Sequence, residues 1–166
     1  VRASTRLTGS LDAMGAAAFD DDPETAWITA FGEAPGAVLS IDGSPAPIGS
    51  ITISQPAGAF SPVRAVRVGV GDEERTVTLD PSGTTTAVLD PPLPAGHVAI
   101  TLAEVEIRTT VDRRFGDTVE LPAAISEIDF DGSPSVDLDV GPTIECVRLT
   151  EVGDTGLSAT VRLGGW

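Results

Sequence analysis

The sequence predicts an all-β chain, in which an antiparallel β-sandwich is followed by a small additional β module. Gly (18) and Pro (13) are frequent among the 166 residues, which indicates many turns. Hydrophobic residues make up 41% of the chain, enough for a substantial core. Short runs of alternating apolar and polar residues recur between the turns, with no amphipathic helical stretch among them. This pattern is typical of an antiparallel sandwich or barrel.

The predicted strands follow one another along the front part of the chain. Residues 1–16 form a polar lead-in with one short strand, and the core strands are expected at residues 38–41, 48–53, 63–70, 76–79, 84–89, 98–102 and 105–107. The segments between them are rich in Asp, Gly, Ser and Pro, which favour turns. Two of these segments, at residues 71–74 and 80–83, predict turns between neighbouring strands.

A domain boundary is predicted where the charge density rises and the strand pattern breaks, at residues 111–117. We therefore place the sandwich at residues 1–112 and the small module at residues 113–166. Further short strands are expected in the module at residues 118–121, 125–130, 136–140, 144–149 and 157–163. These strands are too few to form a stable hydrophobic core of their own. The module either packs against the sandwich or is half of a unit whose remainder was left out.

Charge and composition exclude several classes of function. With 10 basic and 25 acidic residues the net charge is -15, which argues against binding nucleic acid or an anionic membrane surface. Cys146 is the single cysteine, so the sequence predicts neither an intrachain disulfide nor a Cys-based metal site. No run of 18 apolar residues predicts a membrane span. Residues 1–5 resemble neither an initiator start nor a signal peptide, so we expect a piece of a longer polypeptide.

An acidic stretch stands out between two aromatic residues, Phe19 and Trp27. It contains three consecutive carboxylates at residues 20–22, then Pro23 and Thr25. Asp and Pro here favour a tight turn that brings oxygen atoms together. Oxygen atoms on a short bent loop suit calcium, which takes six to eight oxygen ligands. The alternative is a solvated acidic turn.

This stretch resembles a signature of discoidin-like domains, which include coagulation-factor type C domains and related bacterial carbohydrate-binding modules. Their pattern is a hydrophobic residue followed by Asp-Gly-Asp/Asn-Pro-x-Thr-x-Trp, and residues 19–27 read Phe-Asp-Asp-Asp-Pro-Glu-Thr-Ala-Trp. Residues 37–42, 48–53 and 63–71 resemble the core strands that follow, and residues 102–107 resemble the closing strand. The resemblance covers roughly residues 1–110 and implies a discoidin-like jelly roll.

Two positions depart from the family pattern. Asp21 stands where the family usually has Gly, at a position expected to need an unusual backbone angle, which Asp tolerates better than most residues. The usual aromatic residue before the first core strand is absent, with Gly36 and Ala37 in its place. Neither departure removes a proposed ligand, and the resemblance also implies that Trp27 is buried.

The resemblance implies a structural calcium ion that joins the acidic loop to the closing strand. Its ligands, carried over by position, are the Asp20 side chain, the Thr25 hydroxyl and carbonyl, the carbonyls of Ala17 and Asp22, the Glu104 carboxylate and the Ala103 carbonyl. The residues themselves agree, because closely spaced carboxylates repel one another unless a cation or water neutralises them. The alternative for Glu104 is an exposed strand residue or one paired with an Arg.

The function that the resemblance implies is non-catalytic carbohydrate binding at loops on one end of the sandwich. The candidate stacking faces are Phe31 and Phe60, and the candidate polar partners are Arg64 and His97. A purely structural role is the alternative for each of them. Catalysis is rejected, because the order of residues singles out no carboxylate pair across a cleft, no Gly-x-Ser-x-Gly motif and no pair of His for zinc.

A second reading is a structural or docking domain of a large exported enzyme. The acidic, Ala/Val/Asp-rich style resembles domains appended to actinobacterial membrane arabinofuranosyltransferases, which sit outside the membrane near the cell-wall glycan. Under this reading glycan binding is weak or lost and the calcium is purely structural. Both readings place the chain outside the cytoplasm, with a cell-envelope polysaccharide or neighbouring domains of the same polypeptide as its partners.

Overall fold

The computed structural model describes residues 1–10, 13–81 and 83–136. The strands predicted at residues 144–149 and 157–163, most of the one predicted at 136–140, and Cys146 lie outside the described residues. Among the described residues, no helix has both the length and the apolar character that a membrane crossing requires.

The described part of the chain contains twelve β-strands and one short 3-10 helix, Gly15–Ala18. The strands in chain order are β1 (Arg2–Ala3), β2 (Trp27–Ile28), β3 (Val38–Ser44), β4 (Ile48–Ser54), β5 (Val63–Val70), β6 (Glu73–Thr78), β7 (Thr84–Leu93), β8 (Gly96–Val105), β9 (Thr109–Val111), β10 (Thr118–Glu120), β11 (Ala124–Ile125) and β12 (Glu127–Phe130). The predicted all-β class is therefore confirmed, and each strand predicted from residue 38 to residue 102 has a counterpart.

Two antiparallel sheets enclose one hydrophobic core. The larger sheet has the order β1-β3-β8-β5-β6, and the smaller one has the order β12-β4-β7. Alternating residues of β5 and β8 point inward from the larger sheet, and those of β4 and β12 point inward from the smaller one. Their buried side chains form a single cluster, which also contains Trp27 at 1% exposure. The predicted antiparallel sandwich and the burial of Trp27 are confirmed.

Strand β7 runs further than the sequence predicted, through two prolines to Leu93. A proline cannot donate a ladder hydrogen bond and is therefore tolerated on an edge strand. Strand β7 occupies the edge of the smaller sheet and pairs with β4. The edge position explains why Pro91 and Pro92 do not end the strand.

The predicted boundary at residue 112 is wrong for residues 113–136. Strand β11 pairs with β2, and β12 pairs with β4 along its whole length. Ile125, Ile128 and Phe130 from these two strands are buried in the core of the sandwich. The compact unit accordingly extends from Val1 to Val136. The charged stretch at residues 111–117 is the tip of the β9–β10 hairpin and not a linker. Of the two arrangements considered for the module, residues 113–136 adopt the one in which it packs against the sandwich.

Two buried hydroxyl groups attach the returning segment to the rest of the sandwich. The Ser61 hydroxyl donates to the Leu121 carbonyl at 2.7 Å and accepts from the Arg108 amide at 3.0 Å. The Thr29 hydroxyl accepts from the Ala123 amide at 3.0 Å. Both hydroxyl-bearing residues are buried, and a buried backbone group that loses its partner costs about 1–3 kcal/mol. These bonds hold the base of the β9–β10 hairpin beside the β4–β5 loop.

The Ile128→Ala variant tests whether β12 belongs to the core of the sandwich. We expect it to lower the free energy of unfolding by about 2–5 kcal/mol, because it leaves a cavity at a fully buried position. Urea unfolding followed by circular dichroism measures the change. The control is Val111→Ala, which shortens a side chain that is 60% exposed, with an expected change below about 0.5 kcal/mol. Equal stability of the two variants would contradict the assignment of β12 to the core.

Candidate functional site

The acidic loop is a compact turn that two Asp side chains stabilise. It follows the 3-10 helix and leads into β2. The Asp20 carboxylate accepts from the Asp22 amide at 3.1 Å, and the Asp22 carboxylate accepts from the Glu24 amide at 2.8 Å. Asp21 adopts a φ of 58°, in the left-handed region that favours Gly. The prediction of an unusual backbone angle at this position is confirmed.

Three oxygen atoms lie around the Thr25 hydroxyl. The Thr25 hydroxyl is 2.7 Å from the Asp20 carboxylate, 3.1 Å from the Asp22 carbonyl and 3.5 Å from the Ala17 carbonyl. One hydroxyl hydrogen serves three acceptors here, so the cluster has more lone pairs than protons. The structure thus brings together the four loop residues that the resemblance named as calcium ligands.

The structure does not bring Glu104 to this loop. Glu104 lies on β8 of the larger sheet, exposed and opposite Ala65 of β5. The strand of the smaller sheet that lies beside the acidic loop is β12, where the charges of Asp21 and Asp20 act on Glu127. Ala103 and Glu104, the two ligands expected from the closing strand, thus lie on the larger sheet.

Glu127 is the carboxylate that stands beside the acidic loop. Burial, with the nearby charges of Asp21 and Asp20, raises the pKa of the Glu127 carboxyl from an ordinary 4.5 to about 7. Hydrogen bonds from the Ile128 and Asp21 amides lower the pKa of this carboxyl and offset part of the rise. Ser126 precedes Glu127 as Ala103 precedes Glu104. We therefore replace Ala103 and Glu104 by Ser126 and Glu127 as the candidates from the closing strand.

The donor set of this loop fits a hard cation. Among the described residues, no group of three or more His, Cys, Asp or Glu side chains is placed to hold a metal ion, so carboxylates alone do not build the site. The loop and the start of β12 instead combine the Asp20 and Glu127 carboxylates with two carbonyls and the Thr25 hydroxyl. Oxygen donors of these mixed kinds suit calcium, whereas zinc prefers nitrogen and sulfur.

A cavity of about 410 Å³ lies beside the loop, between Asp21 and Glu127. Other polar side chains in its wall are engaged with one another or with the backbone. The Ser54 and Thr84 hydroxyls are 2.8 Å apart, and the Gln55 amide donates to the Val63 carbonyl at 2.9 Å. These contacts hold the end of β4 against β7 and against the start of β5, so the cavity wall is part of the sandwich scaffold.

Three of the four residues predicted to bind a ligand lie at one end of the sandwich. Phe31 is 52% exposed in the turn between β2 and β3, and Phe60 is half-buried in the β4–β5 loop. Arg64 is exposed near the start of β5 and donates to the Glu106 carboxylate, with Nε 2.9 Å from Oε2. The Gly36 amide donates to the Leu102 carbonyl, which places the Phe31 turn beside the same end of β8.

His97 lies at the opposite end of the larger sheet. It is the second residue of β8, with its Nδ1 atom 3.5 Å from the Asp42 carboxylate. Arg64 precedes Ala65, which pairs with Glu104 near the other end of β8. At about 3.3 Å per residue, the stretch of β8 between the two positions spans about 20 Å. One small-ligand site therefore does not include both His97 and Arg64.

Sequence reasoning missed the exposed hairpin formed by β9 and β10, Thr109–Glu120, which we call the Arg-Phe hairpin. At its tip Phe115 is 69% exposed, and the Arg114 guanidinium lies over its ring, 5.1 Å from the centroid. Gly116 has a φ of 77°, which completes the turn. The signal in the sequence was the run Arg113-Arg114-Phe115-Gly116, which the sequence analysis interpreted as part of a domain boundary.

Comparison with known proteins places this sandwich in the discoidin-like class. It resembles a family 32 carbohydrate-binding module of C. perfringens NanJ in complex with galactose, at 18% identity and a TM-score of 0.55, covering 77% of this chain and 89% of the other. It also resembles a C. perfringens family 32 module in complex with GalNAc-β-1,3-galactose, at 17% identity and a TM-score of 0.56, covering 77% and 91%. The predicted discoidin-like fold is confirmed.

The same fold occurs within a much larger enzyme. Arabinofuranosyltransferase AftD from mycobacteria matches at 22% identity and a TM-score of 0.56 over 77% of this chain, which corresponds to 10% of that enzyme. No family model and no curated protein matches this chain. At these identities the comparisons show the fold.

In the absence of a bound cation, we expect the stability of the protein to fall as the pH rises from 4.5 to about 7. Folded Glu127 keeps its proton to a higher pH than the unfolded chain does, so its ionisation in this window opposes folding. Glu127→Gln removes this group, and its free energy of unfolding should decline less over the window than that of the parent. Urea unfolding in excess chelator at several pH values measures the difference.

The control for this experiment is Glu104→Gln, which removes a carboxylate from the other sheet. It is expected to follow the parent protein over the same range. If Glu127→Gln declines as steeply as the parent, the carboxylate of Glu127 does not carry the unfavourable charge that its surroundings indicate.

Proposed function

We propose that this chain is a non-catalytic carbohydrate-binding module of a larger exported cell-envelope protein. The observation that carries the proposal is the grouping of Phe31, Phe60 and Arg64 at one end of a discoidin-like sandwich. An exposed aromatic ring stacks on the apolar face of a sugar, and a guanidinium donates to its hydroxyl groups. The bonded Glu106 carboxylate has lone pairs left to accept hydrogen bonds from such hydroxyls.

The charges at this end favour binding over catalysis. Hydrogen bonding and the charge of Arg64 lower the pKa of the Glu106 carboxyl, so this group stays ionised at neutral pH. A glycosidase needs a second carboxyl that keeps its proton, as the general acid. Glu127, whose pKa is raised to about 7, lies at the start of β12 beside the acidic loop, where burial and the charges of Asp21 and Asp20 act on it. In the calcium site proposed below, Glu127 would be a ligand and not a general acid.

A docking domain of a cell-wall arabinofuranosyltransferase is the second candidate. It is favoured by the likeness to AftD from mycobacteria, in which a region of this fold is 10% of the chain. Under this alternative the exposed end contacts neighbouring domains of the same polypeptide. The two candidates differ in whether the isolated chain binds a polysaccharide fragment.

We propose in addition that the acidic loop and β12 hold a structural calcium ion. The ligands would be the carboxylates of Asp20 and Glu127, the Thr25 hydroxyl and carbonyl, the carbonyls of Ala17 and Asp22, and the Ser126 carbonyl. Support comes from the excess of oxygen acceptors around the Thr25 hydroxyl and from the carboxylates crowded near Glu127. Bound calcium would offset their repulsion and join the front of the chain to its returning strand.

Calcium is expected to raise the melting temperature of the parent protein. A ligand at one hundred times its Kd adds about 2.7 kcal/mol to stability, which corresponds to a rise of about 5–10 °C for a domain of this size. Differential scanning fluorimetry in calcium and in excess chelator measures the shift. Asp20→Ala should abolish it, and Glu127→Gln should reduce it strongly because one of the two carboxylate ligands is lost.

The matched control for calcium is again Glu104→Gln, which should keep the full shift. A parent protein that melts at the same temperature in calcium and in chelator would contradict the calcium proposal. Loss of the shift in Glu104→Gln, with retention in Glu127→Gln, would restore the assignment made from the sequence.

Binding to arabinan and galactan fragments tests the carbohydrate proposal. We expect Phe60→Ala and Arg64→Ala to weaken binding about tenfold or more in isothermal titration calorimetry, because truncated aromatic and Arg contacts commonly cost more than about 1.4 kcal/mol. His97→Ala, at the other end of the larger sheet, is the control and should bind as the parent does. Failure of the parent to bind any wall polysaccharide fragment would favour the docking alternative.

A further inference from the structure

We propose that the Arg-Phe hairpin is a binding arm that selects saccharides bearing carboxylate groups. This inference rests on the proposed carbohydrate-binding function and adds the charge class of its ligand. It is carried by the exposure of the hairpin, by its ordered tip, and by two arginines at the tip that form no ion pair, one of them over the Phe115 ring.

The hairpin projects from the sandwich as a separate two-stranded sheet. Its residues from Thr109 to Glu120 are exposed apart from Asp112 and Val119, which are half-buried. An exposed apolar residue normally adds nothing to stability, yet Val111 and Phe115 are 60% and 69% exposed within a few residues of each other. Both side chains are therefore free to contact a ligand.

The tip of the hairpin is held in one conformation by its own backbone. The Asp112 amide donates to the Asp117 carbonyl, and the Gly116 amide donates to the Asp112 carbonyl, both at 2.8 Å. The Asp112 carboxylate accepts from the Arg114 amide at 2.7 Å. A ligand that binds this tip therefore meets groups that are already ordered, which lowers the entropic cost of binding.

The arginines of the hairpin are available to a ligand. Within the described residues Arg2, Arg64, Arg67 and Arg75 form ion pairs with acidic side chains. No ion pair within 4.0 Å is found there for Arg113 or Arg114 at the tip, nor for Arg6 or Arg108, and Arg108 lies near enough to Glu106 to lower the pKa of that carboxyl. Arg113 and Arg114 therefore place two neighbouring guanidinium groups at the tip, while Asp112, Asp117 and Glu120 leave the hairpin without a net positive charge.

The groups at the tip match an acidic sugar. The Phe115 ring offers a stacking face to a pyranose, and Arg114 over the ring brings a cation beside it. A guanidinium binds a carboxylate through two parallel hydrogen bonds, which fixes the orientation of the ligand. The base of the hairpin is bonded to Ser61, next to Phe60, so the arm begins beside the proposed sugar site.

The test compares one saccharide in two charge states. The full chain is titrated with a glucuronate oligosaccharide and with its methyl ester, which has the same sugar backbone without the negative charge. We expect the parent to bind the acid form about tenfold more tightly at low salt, a preference that shrinks as salt is added because exposed charges are screened. The double variant Arg113→Gln/Arg114→Gln should bind the two forms equally, and Phe115→Ala should weaken both.

The matched control is Arg67→Gln/Arg75→Gln, which makes the same change in net charge on the β5–β6 pair and should keep the preference. Loss of the preference in this control would show an effect of total charge and overturn the inference. Equal binding of both forms by the parent also overturns it, while leaving the proposed carbohydrate binding intact. If neither form binds, nor any neutral wall fragment, both proposals fall, and binding of the hairpin to an acidic protein domain becomes the alternative.

Discussion

The architecture depends on the return of the chain after the Arg-Phe hairpin. Without β12, the strand β4 would be an edge of a two-stranded sheet, with unpaired backbone groups along one side. Antiparallel pairing aligns Glu127 with Ser54 and Phe130 with Ile51, and it closes the core over the smaller sheet. One pairing thus completes the sandwich and determines which carboxylate faces the acidic loop.

The carboxylates of the acidic loop and of β12 repel one another. Asp20 and Asp21 stand near Glu127, whose carboxyl is partly buried and carries a raised pKa as a result. A fold that needed only a turn here could use neutral residues with the same capping geometry, such as Asn or Ser. Two carboxylates, two carbonyls and a hydroxyl around a short turn are the oxygen donors on which the calcium proposal rests.

The sequence predicted the fold well where structure is local and failed where it depends on distant pairing. Alternation and turn residues were sufficient to place β3, β4, β5 and β8, and the loop signature identified Asp20 and Thr25 correctly as neighbours. The closing strand was misplaced because residues 102–107 and 125–130 both combine apolar residues with a Glu at a strand. Which of the two lies beside the loop is decided by pairing with β4, more than seventy residues earlier in the chain, and no local pattern reports that choice.

The same returning segment connects the base of the Arg-Phe hairpin to the carboxylate beside the acidic loop. At residue 121 its carbonyl is fixed by the buried Ser61 hydroxyl, and six residues later Glu127 reaches the acidic loop. Between these points, the Ala123 amide is held by Thr29, and Ala124 pairs with Ile28 in β2. A short segment whose backbone is hydrogen-bonded at several points has little conformational freedom. The orientation of the Arg-Phe hairpin at one end is therefore set by the same strand that positions the carboxylate at the other.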